Sequence, residues 1–488
     1  MTEEEARQLR EENAQLKEEV ASKDQRVKEL EGLLMSALLR IEELERRLGK
    51  DSHNSSKPPS SDGFKRHKKS RPKSNKATGG QTGHVGHGLE RVETPDEVIV
   101  HRPTQCEACH GDLEHVDGEV KERRQVHDLP VMRLVVTEHR VEVLTCPHCQ
   151  RQNSGSFPKD VQAPAQYGPG VQALAVYFSQ YQLLPMERMT ETFADLWHCP
   201  LSEGTLASWL QKATRTLGPT MQEIKRLLLA QKLDHVDETG ARVKGLLHWF
   251  HVNSTRWLTL YHWHRQRGQK AIDAIGILPG YTGRAMHDRL SSYDHYACAH
   301  SICGAHLLRD CLRIAEQEHQ PWAQEMHDLL LRMSQITARF RLAGAQRLPQ
   351  AERDDLVLQY FTILEQGFAT HRMQLPSPDV PIPKRPGRHK QTEGKNLLDA
   401  LLARAEQVLA FLDDLCVPFS NNQAERDLRM IKVQQKVSGT FRSAEGATAF
   451  CTIRSYLSTM RKQGRSMLAS MRAVFEGTPF SVAWEPGT

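Results

Sequence analysis

The chain has 488 residues, enough for about two to four domains with a sizeable core. It is 39% hydrophobic and 26% charged, which excludes a low-complexity chain, and no apolar run approaches the roughly 18 residues that a membrane-spanning helix needs. The formal net charge of +5 is modest, and the first residues carry no secretory signal, so a cytoplasmic protein with no membrane partner is expected.

Residues 1–50 are dominated by Glu, Lys, Arg and Leu. Ala6, Val20, Val27, Leu34, Ile41 and Leu48 share one heptad position, and Leu9, Leu16, Leu30, Ala37 and Leu44 the other. That seam predicts a coiled coil and a homo-oligomer, with Asn13 at a register-setting position and Lys23 weakening the seam. Residues 51–92 change to Ser, Pro, Gly and Lys and predict a disordered linker. Its basic cluster, Lys65, Arg66, Lys68, Lys69, Arg71, Lys73 and Lys76, suits salt-dependent contact with DNA phosphates.

The ten cysteines include two CxxC pairs, Cys106 with Cys109 and Cys146 with Cys149, in a module spanning 93–160. Two such knuckles suit one tetrahedral, structural Zn2+ in a reducing compartment rather than a disulfide scaffold. Alternation in residues 131–145 predicts a strand pair leading into the second knuckle. Residues 161–230 carry apolar residues at helical spacing, with Pro185 opening one helix and Ser202 or Thr205 capping another. Helix, short turn, helix is the layout of a DNA-reading module and equally of a small bundle.

From Leu233 the period switches to strands: 233–243, 246–255 and 256–264, with a turn at Lys244-Gly245. A helix over 269–278 and a short strand ending at Asp288 follow. Three meandering strands, a helix and a fourth strand open an RNase-H-like mixed sheet, in which strands one and four are neighbours. The fold expected is therefore a multidomain α/β chain. Its catalytic core, 231–300 and 416–475, is split by a helical insertion, 301–415, and 476–488 form a tail. Within the insertion, Cys303 and His306 offer metal-ligating atoms, but a packed thiol and a local contact from His306 to the site are the preferred reading.

In that topology Asp237 on the first strand and Asp288 at the end of the fourth meet at one edge. Glu425 supplies a third acid from a helix within Ser420–Ser443, with Arg429 and Lys432 on its face. Converging carboxylates call for a cation, and oxygen-only ligands select Mg2+ or Mn2+. Asp234 and Asp294 are the rival acids, and Glu238 alternates to the opposite strand face. Asn422 with Glu425 three residues on also matches a capping box, where the carboxylate only satisfies a backbone N–H.

Several stretches resemble the transposases of the insertion sequence 66 family, bacterial enzymes of the DDE type. They are NSSKPPSSDG (54–63), GGQTGHVGHGL (79–89), the two CxxC pairs, YGPGVQALAVYFSQYQLLPMER (167–188), LSEGTLASWL (201–210), VDETGARV (236–243), CGAHLLRD (303–310), NNQAERDLR (421–429) and KVSGTFRSAEGA (436–447), in the family's order. The resemblance implies an RNase-H-like core with a zinc-binding module, and maps the motif acids onto Asp237, Asp288 and Glu425. The family usually carries Asp-Gly at the second acid with a Tyr five residues on; here Arg289 follows Asp288, and Tyr293 keeps the spacing. The implied activity is metal-dependent cleavage of the element's ends in double-stranded DNA, then strand transfer into target DNA. Arg426, Arg429, Lys432, Lys436 and Arg442 would hold phosphates. Nucleoid association would accompany such a role, and the sequence leaves open whether accessory proteins take part. A non-catalytic coiled-coil zinc-finger accessory or regulatory protein, and a resolvase- or exonuclease-like nuclease, are the alternatives.

Overall fold

The structure is a computed structural model that describes residues 16, 17, 20, 22–35, 37, 40, 41, 44, 88–373 and 391–483. The basic cluster Lys65 to Lys76 and most of the linker lie outside the described residues. Residues 22–35 are helical, and the seam residues Val27, Leu30 and Leu34 are all exposed. The described part forms two compact units, one of residues 66–157 with 191–200, the other of 158–190 with 201–488 and the N-terminal residues.

In the first unit, strand β1 (Val143–Thr145) pairs antiparallel with β2 (Gln152–Ser154), so that Thr145 faces Gln152 across the second CxxC pair. The strand pair expected over 131–145 is corrected by this register. Only its last three residues form a strand, and their partner lies after the knuckle, not before it. Residues 131–142 carry the alternating pattern but no regular structure, because a period of two forms a ladder only where a second strand accepts its backbone bonds. Val131, Val135 and Val136 are exposed.

The second unit opens with α1 (Pro169–Val176), a π-helical turn (Tyr177–Tyr181), the start of α2 (Met186–Trp197, whose residues from 191 on belong to the first unit), α3 (Glu203–Thr216) and α4 (Gly218–Leu229). Ser202 caps α3 by accepting the Thr205 amide at 3.0 Å. A five-stranded mixed sheet follows: β3 (Leu233–Val243), β4 (Leu246–Ser254), β5 (Thr259–His264), β6 (Arg284–His287) and β7 (Ala299–Ile302), in the order β5-β4-β3-β6-β7. Lys244 and Gly245 both take positive φ, 50° and 78°, which matches the hairpin twist between β3 and β4. Helix α5 (Gln269–Ile275) crosses to β6, which lies parallel to β3, and β7 lies parallel to β6.

Between β7 and the closing helices stands a helical insertion: α6 (Gly304–Gln317), α7 (Pro321–Leu342), α8 (Gln350–Met373), α9 (Glu393–Ala403) and α10 (Ala405–Asp413). It has its own core, including Leu330, Met333, Tyr360 and Leu398. Helices α11 (Asn422–Ser438), α12 (Ala444–Lys462) and α13 (Met467–Phe475) then close the fold.

The two sheet faces are covered differently. Ala241 and Val243 of β3 pack with Ala424, Leu428 and Ile431 of α11 and with Phe450 of α12. Positions 424, 428 and 431 recur at helical spacing and form the buried stripe of α11, each large side chain contributing roughly 1.5–3 kcal/mol by burial. Val236 points the other way, into a cluster with Ile272, Tyr281 and Tyr293. The alternation of β3 thus decides what each acid on it can meet.

Candidate active site

The register between β3 and β6 brings two acids together. Their parallel pairing matches Leu233 with Arg284 and His235 with Met286. Continued two residues past the last of these pairs, the same register points Asp288 toward Asp237, and the charge of Asp288 acts on both Asp237 and Glu238. The neighbouring pair β6 and β7 matches His287 with Ile302, and the Cys303 amide donates to the His287 carbonyl at 2.9 Å. Asp237, Asp288 and Cys303 therefore form one row past the paired ends of three parallel strands. The carboxyl ends of parallel strands are where open α/β sheets place their ligand crevices.

Glu425 reaches this row from the first turn of α11. Burial pushes the Asp237 carboxyl well above its ordinary range, and the neighbouring charges of Glu238, Asp288 and Glu425 push it further. Asp237 also accepts the Glu238 amide at 2.8 Å. The capping-box expectation is corrected here. The cap residue of α11 is Asn421, not Asn422, and no side chain caps the helix. Glu425 Oε1 is buried without a hydrogen-bond partner, so it aims into the site instead of serving its own backbone.

Asn421 does something the sequence does not advertise. It is 1% exposed. Its Nδ2 donates to the Val236 carbonyl at 2.9 Å, its Oδ1 meets His235 Nδ1 at 2.8 Å, and its backbone N–H donates to Cys303 Sγ at 3.2 Å. One side chain and one amide thus tie the strand of Asp237, the start of α6 and the helix of Glu425 together. His306, one turn into α6, places Nδ1 3.8 Å from Glu425 Oε1, which is the local contact expected of it.

The rival acids have other partners. Asp234 is fully buried and accepts Asn253 Nδ2 at 2.6 Å and the Ser254 amide at 2.9 Å; burial raises its carboxyl to about 7. Asp294 sits in a 3₁₀ turn (Ser291–His295) and pairs with Arg404. Glu238 lies on the opposite face from Asp237, as the alternation requires. There it accepts Tyr293 Oη at 2.6 Å and Arg267 Nε at 2.8 Å. Arg267 also approaches Asp288 Oδ2 at 3.9 Å and stacks over Trp249. This trio of Glu238, Tyr293 and Arg267 escapes sequence reading; the Tyr five residues after Asp288 was its one visible signal.

Arg289 explains the departure from Asp-Gly. Its φ is 77°, a left-handed conformation that glycine adopts freely and a side chain resists by about 1–2 kcal/mol. Its guanidinium pairs with Asp310 of α6, and its carbonyl accepts from Arg404. The chain thus keeps the glycine conformation without the glycine. Asp288 Oδ1 accepts the Leu290 amide at 3.1 Å, closing the same turn.

The basic residues of α11 divide. Arg426, Arg429 and Lys436 are exposed. Lys432 is also exposed, but its Nζ is engaged, donating to the Gly240 carbonyl at 2.5 Å. Arg442 is 90% exposed and stands 4.0 Å from Glu203 of α3.

In the other unit, both CxxC pairs are bent alike. The Cys106 amide donates to Gly111 O and the His110 amide to Cys106 O, both at 2.9 Å; Cys146 with Arg151 and Gln150 with Cys146 repeat the pattern at the same distance. His110 and Gln150 take φ of 55° and 60°. Backbone N–H groups of Cys109 and Ala108 lower the Cys106 thiol, and those of Cys149 and His148 lower Cys146, as a zinc-ligating thiolate needs. Among the described residues, Cys303, His306 and Glu425 form a group whose ligand atoms all lie within 4.8 Å of one another.

A family described as Transposase IS66 family matches residues 164–449, more than half of the chain and all of Asp237, Asp288 and Glu425. The chain belongs to the IS66 transposase family. The zinc-finger binding domain of transposase IS66 matches residues 103–150, enclosing all four knuckle cysteines, whose donor set fits zinc. Residues 1–90 match a family of unknown function, DUF6444. Comparison with curated proteins finds no match. As a member, the chain is a transposase, a DNA-binding protein of an insertion sequence with a zinc-finger domain. Among its described residues no helix is long and apolar enough to cross a membrane.

Proposed function

We propose that this transposase cuts the ends of its element and joins them to target DNA at a single site formed by Asp237, Asp288 and Glu425 on an RNase-H-like sheet. The observation that supports the reading is that the charges of Asp288 and Glu425 both act on the buried Asp237 carboxyl, in line with a β3–β6 register that, carried two residues past its last pair, would put Asp237 beside Asp288. Burial and the charges of Glu238, Asp288 and Glu425 raise the affinity of Asp237 for a proton, so its ionised form calls for a cation, and an oxygen-only donor set of this kind fits Mg2+ or Mn2+. When bound, such ions would supply positive charge at the entering and leaving oxygens of a phosphodiester displacement. Asp237 and Asp288 would hold them from the sheet, and Glu425 from above. Water would enter at the element's end and release a 3′-hydroxyl, and that hydroxyl would attack target DNA. One phosphodiester replaces another, so no nucleotide is consumed.

The remaining parts fit around this step. Exposed Arg426, Arg429, Lys436 and Arg442 would grip phosphates flanking the acids, and Lys432 would join them once freed from Gly240. The helices of 161–230 and the basic linker of 51–92 would hold DNA outside the site. Joining two ends needs two copies of the chain, and the exposed heptad seam of the N-terminal helix is suited to pairing them. Glu425→Gln tests the centre: it removes a charge with little change of shape. End-bearing DNA should still be retained in a mobility-shift assay, while magnesium-dependent cleavage falls by a factor of about 10³ or more. Retained cleavage would take Glu425 out of the site.

A further inference from the structure

We propose a metal position beside the carboxylate site, for a zinc-class transition-metal ion held by Cys303, His306 and Glu425. The three ligand atoms all lie within 4.8 Å of one another. His306 Nδ1 and Glu425 Oε1 stand 3.8 Å apart, and both are buried atoms with no hydrogen-bond partner. Two buried polar atoms facing each other unpaired cost roughly 1–3 kcal/mol each unless something sits between them. A tetrahedral ion with nitrogen and oxygen ligands at about 2.0–2.2 Å sets them roughly 3.3–3.6 Å apart, so the 3.8 Å His306–Glu425 spacing needs to close by only a few tenths of an ångström. The donors are nitrogen, sulfur and oxygen, a set that favours zinc or cobalt over magnesium.

Local structure presents these donors together. Cys303 caps α6 in an extended conformation, φ −63° and ψ 109°, and is 0% exposed. His306 follows at i+3, on the same side of the first turn. Gly304 between them admits close packing, since a Cβ there would fall 2.3 Å from the Phe419 ring. The Asn421 amide donating to Cys303 Sγ is the outer contact that would orient a ligating sulfur. Three protein ligands leave a fourth position open, the pattern of a reactive rather than a purely structural site. A carboxylate has two oxygens, so Oε1 can bind here while the other serves Asp237 and Asp288. Only this bridging role rests on the strand-cleavage reading; the metal position itself does not.

The test counts metals on the full chain. Protein loaded with zinc and passed through metal-free buffer should carry two equivalents. Cys303→Ser with His306→Ala should carry one, and Cys106→Ser with Cys109→Ser should also carry one. One equivalent in the unaltered chain, lost entirely with Cys106 and Cys109, overturns the proposal. A spectroscopic arm avoids dependence on the double variant folding. Cobalt added to protein with Cys106, Cys109, Cys146 and Cys149 all replaced by Ser should give a single-thiolate charge-transfer band, removed by a further Cys303→Ser and weakened about tenfold or more in affinity by Glu425→Ala. Absence of that band also overturns it. Cleavage of end-bearing DNA is scored separately: two metals without cleavage keeps this position and removes the strand-cleavage reading, and cleavage with one metal does the reverse.

Discussion

The carboxylate row and the cysteine knuckles are both candidate metal centres, yet they are held in opposite ways. Around the carboxylates, burial does the positioning. Ile431 of α11 is 0% exposed and Asn421 1%, and the latter is bonded to both β3 and Cys303. Around the knuckles almost nothing is buried: Val126, Val131 and Val136 are each about nine-tenths exposed, and each cysteine pair is shaped by its own local backbone bonds. A core can hold like charges close together before any ion arrives, whereas a module too small for a core leaves convergence to the metal.

The contrast can be broken most forcefully at the knuckles. Replacing Cys106 and Cys109 by Ser, or stripping zinc with a chelator, should unfold residues 93–160, because structural zinc contributes an apparent ~10–16 kcal/mol in small modules. Limited proteolysis should cut this region rapidly while the sheet unit keeps its thermal midpoint within about 2 °C. A matching fall in the sheet unit's midpoint would show that the two regions share their stability.

Within the sheet unit, Asn421→Ala should have the next largest effect. It strands the buried Val236 carbonyl and His235 ring and should cost about 2–4 kcal/mol in denaturant unfolding. Magnesium-dependent cleavage should fall further than the lost folded fraction explains, because β3 and α11 lose their common tie. A change below about 0.5 kcal/mol would mean that packing alone sets the row.

Arg289→Gly should have the smallest effect. Relief of the left-handed backbone, worth about 1–2 kcal/mol, is offset by loss of the Asp310 pair, and Asp310 retains Arg313 at 3.2 Å. Unfolding free energy should move by no more than about 1 kcal/mol. A loss above about 3 kcal/mol would show that the guanidinium, not the turn, holds Asp288 in place.

How much of this was legible varies with the range of the interaction. Strand β3 ends where its alternation ends, at Leu233 and Val243, and its turn residues announce the hairpin. The Asp237–Asp288 pairing follows once the strand order is assumed. Helix α11 was visible from its spacing, but its cap was not. Asn421 and Asn422 are equivalent in composition, and only the long-range bonds to Val236 and Cys303 separate them. Residues 131–142 show the converse, a local pattern with no partner to complete it. Glu238, Tyr293 and Arg267 form a cluster from three segments that no spacing rule joins.

The central claim is that strand register chooses the second acid. Magnesium-dependent cleavage of DNA bearing the element's own ends, compared between Asp288→Asn and Asp294→Asn, tests it most directly. Asp288→Asn should lower cleavage by a factor of about 10³ or more, while Asp294→Asn, which breaks only the Arg404 pair, should stay within about tenfold of the unaltered chain. Full cleavage in Asp288→Asn, with loss in Asp294→Asn, would contradict it.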